Sequence, residues 1–132
     1  MPARILVIED DEFSRELVRY LLDRQGYAVL EAADGRAGLD LALNAHPDLV
    51  LCDLQMPVLN GYEVVQRLRS NPLWRVVPVI AVTAFSMPGD RDIALAAGFD
   101  NYLTKPITPE IFVQQITAFL PPGLRAGSPP GA

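Results

Sequence analysis

The sequence predicts an α/β fold in which five parallel strands alternate with five helices. Two observations carry this prediction: short apolar runs recur along the chain, and the segments between them have apolar residues at helical spacing. Strands and helices that alternate through right-handed crossovers form a parallel sheet with helices on both faces. A chain of 132 residues has the length of one such domain.

Five short runs are the predicted strands. The first, third and fourth are apolar at nearly every position, which is typical of parallel strands buried on both faces. The second and fifth are more mixed, which favours positions nearer the edges of the sheet. The five runs are residues 4–8, 28–31, 49–52, 79–82 and 101–103.

The first predicted helix lies between the first two strands. Its apolar stripe contains Leu17, Val18, Leu21 and Leu22, and Gly26 ends it. Its charged side chains are expected to face water. They are Arg15, Arg19, Asp23 and Arg24.

Four further helices follow. The second is predicted over residues 34–45, and the third follows Asn60. The fourth is short and alanine-rich and follows Gly89. The fifth has Thr108 at its N-cap and Pro109 at its first helical position, where a missing N–H costs nothing.

This order of elements predicts a flavodoxin-like, doubly wound (βα)5 sandwich with strand order 2-1-3-4-5. In such sheets the functional site lies at the carboxyl ends of strands 1 and 3. Residues 1–120 are expected to form the domain. Residues 121–132 are rich in proline and glycine and are expected to be a flexible tail.

Composition excludes several classes of function. The net charge is −5, from 11 basic and 16 acidic residues, which argues against direct nucleic-acid binding. No apolar run approaches the roughly 20 residues of a membrane span. The single cysteine, Cys52, excludes an internal disulfide and a thiolate-rich metal site. The first strand follows Met1 so closely that we expect no signal peptide and a cytoplasmic location.

Charged and hydroxyl side chains follow the predicted strands. Glu9 and Asp10 follow the first, Asp53 the third, Thr83 the fourth and Lys105 the fifth. Strands 1 and 3 are predicted neighbours, so the three carboxylates should converge. Two carboxylates 4 Å apart repel by roughly 4 kcal/mol at an effective dielectric of 20. The sequence therefore predicts a compensating cation, and oxygen ligands favour Mg²⁺.

A phosphoryl group fits this set of residues. Mg²⁺ and Lys105 can hold its equatorial oxygens while Asp53 attacks phosphorus in line. Thr83 offers a hydroxyl donor to the same oxygens. Catalysis of this kind is electrostatic positioning.

Four motifs lie at the ends of predicted strands. They are Ile5-Leu6-Val7-Ile8-Glu9-Asp10-Asp11, then Asp48 to Pro57 with Asn60-Gly61, then Val79-Ile80-Ala81-Val82-Thr83-Ala84, and Tyr102-Leu103-Thr104-Lys105-Pro106. These motifs resemble those of response-regulator receiver domains of the CheY type, and the resemblance covers about residues 3–120.

The resemblance implies a phosphoacceptor and a metal site. Asp53 would accept the phosphoryl group. Asp10 and Asp53 would ligate Mg²⁺ directly, together with the backbone carbonyl of Gln55, and Glu9 would act mostly through water. Asp11 is an extra acid with no assigned role.

The resemblance also implies a switch. Lys105, before a cis peptide bond at Pro106, would contact the phosphate, as would the Thr83-Ala84 pair. Thr83 would move toward the phosphoryl group while Tyr102 turned inward behind it. This pair would reposition the face made by helix 4, strand 5 and helix 5.

Two positions are expected to tune the lifetime of the phosphoryl group. They lie two residues after Asp53 and two after Thr83, and here they are Gln55 and Phe85. A bulky aromatic beside the site should hinder the attacking water, so hydrolysis is expected to be slow.

The implied partners are proteins. A histidine kinase or a histidine phosphotransfer protein would supply the phosphoryl group, and an unidentified downstream protein would read the switch. Phe112, Phe119 and two glutamines on helix 5 are compatible with such a partner or with a phosphorylation-dependent homodimer, and they decide neither. Catalysis would be limited to the domain's own phosphorylation and dephosphorylation, so the chain is not expected to be an enzyme.

Four alternative interpretations fit the sequence less well. A flavodoxin needs a phosphate loop where this chain has acids, and a haloacid-dehalogenase-type phosphatase needs a second Asp where this chain has Gln55. A pseudo-receiver, which binds proteins without phosphorylation, usually lacks an acid or the lysine, and all are present here. The chain as the receiver of a hybrid kinase is disfavoured by Met1 directly before the first strand and by the lack of an effector domain.

Overall fold

A computed structural model describes residues 2–84 and 87–125, and these form the predicted α/β fold. Five strands alternate with five helices. The strands are β1 (Arg4–Ile8), β2 (Ala28–Ala32), β3 (Leu49–Asp53), β4 (Val79–Thr83) and β5 (Asn101–Thr104), and the helices are α1 (Glu12–Arg24), α2 (Gly35–Ala45), α3 (Gly61–Arg69), α4 (Asp90–Ala97) and α5 (Pro109–Phe119).

The sheet is parallel with the order β2-β1-β3-β4-β5, which confirms the predicted topology. Every residue of β3 and β4 is buried, as expected of central strands. Four strands extend one residue beyond their predicted ends because the ladder continues past the apolar run. In β3 and β4 these extra residues are Asp53 and Thr83, so the ladder itself fixes their backbones.

Two hydrophobic layers cover the sheet. One packs α2, α3 and α4 against it and includes the single tryptophan, Trp74, which is 2% exposed. The other packs α1 and α5 against the opposite face through residues such as Leu22 and Ile116. Alternate β1 residues serve the two layers, with Leu6 and Ile8 on one side and Ile5 and Val7 on the other.

Side-chain caps set several helix starts. Asp11 accepts hydrogen bonds from the Ser14 N–H (3.0 Å) and hydroxyl (2.6 Å). Asn60 and Glu63 form a capping box at α3. Thr108 is the N-cap of α5 as predicted, yet its side chain makes no capping hydrogen bond.

One helix prediction was wrong. Arg15 was expected to face water, but its side chain is only 19% exposed and its guanidinium donates to the backbone carbonyl of Glu9. Helical spacing could not reveal this because the partner lies in the preceding turn.

The start of the predicted tail is ordered against the domain. Pro122–Leu124 forms a 3-10 turn, and Leu124 packs against the layer that contains α1 and α5. Arg125 donates to the carbonyls of Leu120 and Ala118. Residues 126–132 lie outside the described residues, so the flexibility expected of them stays a prediction. Within the described ranges, no helix has the length and hydrophobicity that crossing a membrane requires.

Candidate functional site

Three carboxylates meet at the carboxyl edge of the sheet. Glu9 and Asp10 follow β1, and Asp53 ends the neighbouring strand β3. One carboxylate oxygen from each lies within 4.8 Å of the others. Glu9 and Asp53 are buried, with 5% and 8% exposure, whereas Asp10 is exposed.

Lys105 bridges two of these acids. It follows β5, and its Nζ donates to Asp53 Oδ2 across 3.1 Å and forms an ion pair with Glu9 Oε1. It is the only lysine in the sequence. The peptide bond between Lys105 and Pro106 is cis.

The charges of this cluster shift its protonation. Burial, followed by a hydrogen bond to Asp53, raises the pKa of Glu9 to about 7, although Lys105 acts in the opposite direction. Burial alone lowers the pKa of Lys105, but its contacts with Glu9 and Asp53 outweigh this, so that the pKa lies above its ordinary value. A raised pKa is the expected response of a buried carboxyl group that lies beside a second carboxyl group.

Both carboxylate oxygens of Asp53 have partners. Oδ2 accepts from Lys105, and Oδ1 accepts from the Gln55 N–H at 3.1 Å. The following loop returns to the strand at Gly61, whose N–H donates to the Leu54 carbonyl. A Cβ on Gly61 would lie 2.4 Å from the Asp53 carbonyl oxygen, so only glycine permits this approach.

Thr83 lies beside a pocket next to the acids. It ends β4, is fully buried, and lines a cavity of about 400 Å³ with Gln55, Tyr62 and Asp90. Ala84 follows it and is exposed. Gln55, which also lines this cavity, is exposed.

Tyr102 is buried, with 7% exposure. Burial, followed by the charge of Asp90 and the nearness of Tyr62, raises the pKa of its hydroxyl. Tyr62 and Asp90 therefore lie close to Tyr102, and no motif or periodicity in the sequence predicts this proximity. Phe85, the second predicted lifetime position, lies outside the described residues.

The donor set fits a hard divalent cation. Carboxylate oxygens from Glu9, Asp10 and Asp53 are within common reach, and no thiolate or imidazole belongs to the cluster. Mg²⁺ prefers oxygen ligands and usually keeps several bound waters. The exposed side of this cluster leaves room for such waters. The contact of Gln55 with Asp53 is through its N–H, and ligation by its carbonyl stays a prediction.

The site predicted from the sequence did not include two residues that lie near it. Arg15 and Glu31 form an ion pair of 3.7 Å beside Glu9, at the end of β2. Asp11 does have a structural role as the N-cap of α1, and its N–H also donates to Glu9 Oε2 at 3.3 Å.

Comparison with known proteins gives a consistent result. A family model described as response regulator receiver domain matches residues 5–117. The polar-differentiation response regulator DivK of Brucella anthropi is 38% identical over 120 residues, which are 91% of this chain and 98% of that protein.

Several solved structures have a fold similar to that of this chain. Chemotaxis protein CheY4 of Vibrio cholerae superposes with a TM-score of 0.85 at 31% identity, covering 91% of this chain and all of that one. The receiver domain of sensor histidine kinase PA1611 from Pseudomonas aeruginosa superposes with a TM-score of 0.82 at 32% identity, covering 90% of this chain and 98% of that one. That structure is described with a magnesium ion coordinated in its active-site cleft.

Proposed function

Because this chain belongs to the response-regulator receiver-domain family, we propose that it accepts a phosphoryl group on Asp53 in a Mg²⁺-dependent step. The observation that carries the proposal is the convergence of Glu9, Asp10 and Asp53 within 4.8 Å, with Lys105 Nζ 3.1 Å from Asp53. The phosphodonor would be a histidine kinase or a histidine phosphotransfer protein, since receiver domains act with such proteins.

The proposed reaction is an in-line displacement. A carboxylate oxygen of Asp53 attacks phosphorus, and the bond between phosphorus and the donor imidazole nitrogen breaks. The nitrogen keeps the electron pair and takes up a proton, and Asp53 becomes an acyl phosphate. Hydrolysis later breaks the phosphorus–oxygen bond and restores the carboxylate. Because both reactions act on the domain itself, the protein is not proposed to turn over a free substrate.

Residues of this chain have separate roles in that step. Glu9, Asp10 and Asp53 would hold the cation, with Gln55 as a further ligand. When bound, Mg²⁺ supplies positive charge that lowers the repulsion between the carboxylates and the phosphoryl oxygens. Lys105 and Thr83 would contact those oxygens, with Ala84 beside them. These groups would stabilise the negative charge on the phosphoryl oxygens from fixed positions, whereas water molecules would first have to reorient.

The proposed output is a change on the face formed by α4, β5 and α5. Thr83 ends β4, and Tyr102 lies in the neighbouring strand β5. A movement of Thr83 toward the phosphoryl group can therefore be followed by a movement of Tyr102. A groove of about 260 Å³ lies between β5 and α5 and is lined in part by Tyr102, Ile111 and Phe112. An unidentified downstream protein would bind there, in a cytoplasmic setting.

The test is incubation with acetyl phosphate and Mg²⁺, read by intact mass. Wild type is expected to gain one phosphoryl group, EDTA to abolish the gain, and Asp53→Asn to show none. Asp48→Asn is the matched control: Asp48 precedes the other end of β3, where it accepts from the Arg4 N–H at 2.8 Å. The Asp48→Asn protein should be phosphorylated like wild type. Failure with acetyl phosphate and with phosphorylated histidine proteins alike would favour the pseudo-receiver alternative.

A further inference from the structure

Glu9 is held by polar contacts on every side. Its N–H donates to the carbonyl of Ala32 at 3.0 Å, and its side chain accepts from the Asp11 N–H and pairs with Lys105. Its own carbonyl accepts from Arg15 Nη1 at 2.9 Å. The last contact differs from the others because it acts on the peptide group that joins Glu9 to Asp10.

Asp10 has no such support of its own. In the part of the chain that the structure describes, its side chain makes no hydrogen bond and no ion pair, and it is exposed. The direction in which Asp10 points therefore depends on its backbone. The peptide group is planar, so a donor that fixes the Glu9 carbonyl also fixes the N–Cα bond from which Asp10 departs.

Arg15 is itself anchored from the opposite side. Its Nε lies 3.7 Å from Glu31 Oε1, and Glu31 stands near the end of β2. Arg19, one turn further along α1, also pairs with Glu31 at 3.2 Å, but among the described residues it makes no hydrogen bond or ion pair with Glu9. The side chain of Arg15 is 19% exposed and that of Arg19 is 57% exposed.

We propose that Arg15, anchored by Glu31, is a positioning residue for the divalent cation, because it fixes the peptide group between Glu9 and Asp10. This inference rests on the proposed function in one respect, namely that a cation binds at these acids. Arg15 would not itself be a ligand, because its guanidinium is held by the carbonyl of Glu9 and the carboxylate of Glu31. Its effect passes through the backbone that presents two of the three carboxylates.

The charge of Arg15 is compatible with this role. A free guanidinium close to a divalent cation would repel it, but the carboxylate of Glu31 offsets that charge. Arginine suits the position because its planar fork can donate to a carbonyl and pair with a carboxylate at once. A lysine ammonium cannot make both contacts in the same geometry.

The competing explanation is that Arg15 only fastens α1 to the sheet. In that case its loss would lower stability and leave cation affinity unchanged. The experiment must therefore measure both quantities, the Mg²⁺ dissociation constant and the free energy of unfolding.

Isothermal titration calorimetry with Mg²⁺ is the direct test, on wild type, Arg15→Met, Arg15→Lys and Arg19→Met. Residues that orient metal ligands typically change affinity 10–100-fold when mutated, so Arg15→Met is expected to bind Mg²⁺ about tenfold more weakly. Arg15→Lys keeps the charge and is expected to lose several-fold affinity. Arg19→Met, which removes the other partner of Glu31, should stay within about twofold of wild type.

Phosphorylation by acetyl phosphate supplies an independent measurement. For Arg15→Met the Mg²⁺ concentration at half-maximal rate should rise, whereas the rate at saturating Mg²⁺ should match wild type. Unfolding by urea in EDTA, followed by the fluorescence of Trp74, reports any loss of stability separately.

Three results would overturn the inference. Wild-type affinity in both Arg15 variants would show that the contact only fastens α1. Equal losses in the Arg15 and Arg19 variants would indicate a general charge effect. Absence of Mg²⁺ binding in wild type would refute the proposed function, and this inference with it. If Arg15→Met does not fold, Arg15→Lys still decides the question.

Discussion

Lys105 Nζ lies 3.1 Å from Asp53 Oδ2 and is also paired with Glu9, so a residue after the edge strand β5 joins acids from two central strands. Its side chain is 17% exposed, which keeps most water away from the contacts. Without Lys105, the buried carboxylates of Glu9 and Asp53 would lie together with no cationic side chain of the described residues paired to either of them.

Lys105→Met is therefore expected to destabilise the metal-free protein. Charge-assisted hydrogen bonds contribute about 1.5–3 kcal/mol, and we expect a loss near 2 kcal/mol in EDTA. Saturating Mg²⁺ should recover much of that loss because the cation restores positive charge. Urea unfolding followed by Trp74 fluorescence measures both states. Arg36→Met, which breaks an exposed pair with Asp40, is the control and should change stability by about 0.5 kcal/mol or less.

The raised pKa of Glu9 predicts a pH-dependent stability in EDTA. The folded-state pKa of about 7 exceeds the ordinary 4.5, so the folded protein binds the extra proton between these values. Glu9 then contributes stability below about pH 4.5 that is lost as the pH rises through 7. The stability of Glu9→Gln minus that of wild type should increase from pH 5 to pH 7.5 and level off above it. A flat difference, measured by urea unfolding at several pH values, would contradict the raised pKa.

The backbone of Val58 predicts a stabilising substitution. Its φ is +72°, which β-branched residues rarely adopt, and its side chain is 73% exposed. Asparagine tolerates this region better, so Val58→Asn should raise the free energy of unfolding by about 1 kcal/mol. Val76→Asn is the matched control, since Val76 is 89% exposed and has no positive φ. It should change stability little. A less stable Val58→Asn protein would refute the prediction.

The close approach of Gly61 predicts a combined loss of stability and acceptor activity. A Cβ there would overlap the Asp53 carbonyl oxygen, which lies in rigid backbone. Gly61→Ala should lower stability by about 1–3 kcal/mol, as overpacking does, and slow phosphorylation by acetyl phosphate. In Gly38→Ala the added Cβ would meet the Ile8 side chain at 2.5 Å. This variant should also lose stability, but it should slow phosphorylation less than Gly61→Ala does. Equal rates for the two variants would contradict this.

The position of Phe85, two residues after Thr83 in the sequence, predicts a long-lived acyl phosphate. Phe85→Ala should shorten the lifetime because water would reach phosphorus more easily. Loss of the phosphoryl group after removal of acetyl phosphate, followed by intact mass, gives the rate. Wild type that loses phosphate faster than Phe85→Ala would count against a shielding role. Met87→Ala, at an exposed position of the same connection, serves as the control.

The sequence alone predicts the order of strands and helices and the edge of the sheet at which Glu9, Asp10, Asp53 and Lys105 meet. It could do so because apolar periodicity and turn residues are local signals, and because parallel strands carry their carboxyl ends to one edge. The family motifs lie at those same strand ends.

The partner that each polar side chain takes is visible only in the folded structure. In the sequence Arg15 has the position of an exposed helical arginine, yet its Nη1 donates to the carbonyl of Glu9 in the connection between β1 and α1. The raised pKa of Glu9 depends on burial and on Asp53, 44 residues further along the chain. Such pairings arise from the packing of distant elements, and the periodicity of any one element does not record them.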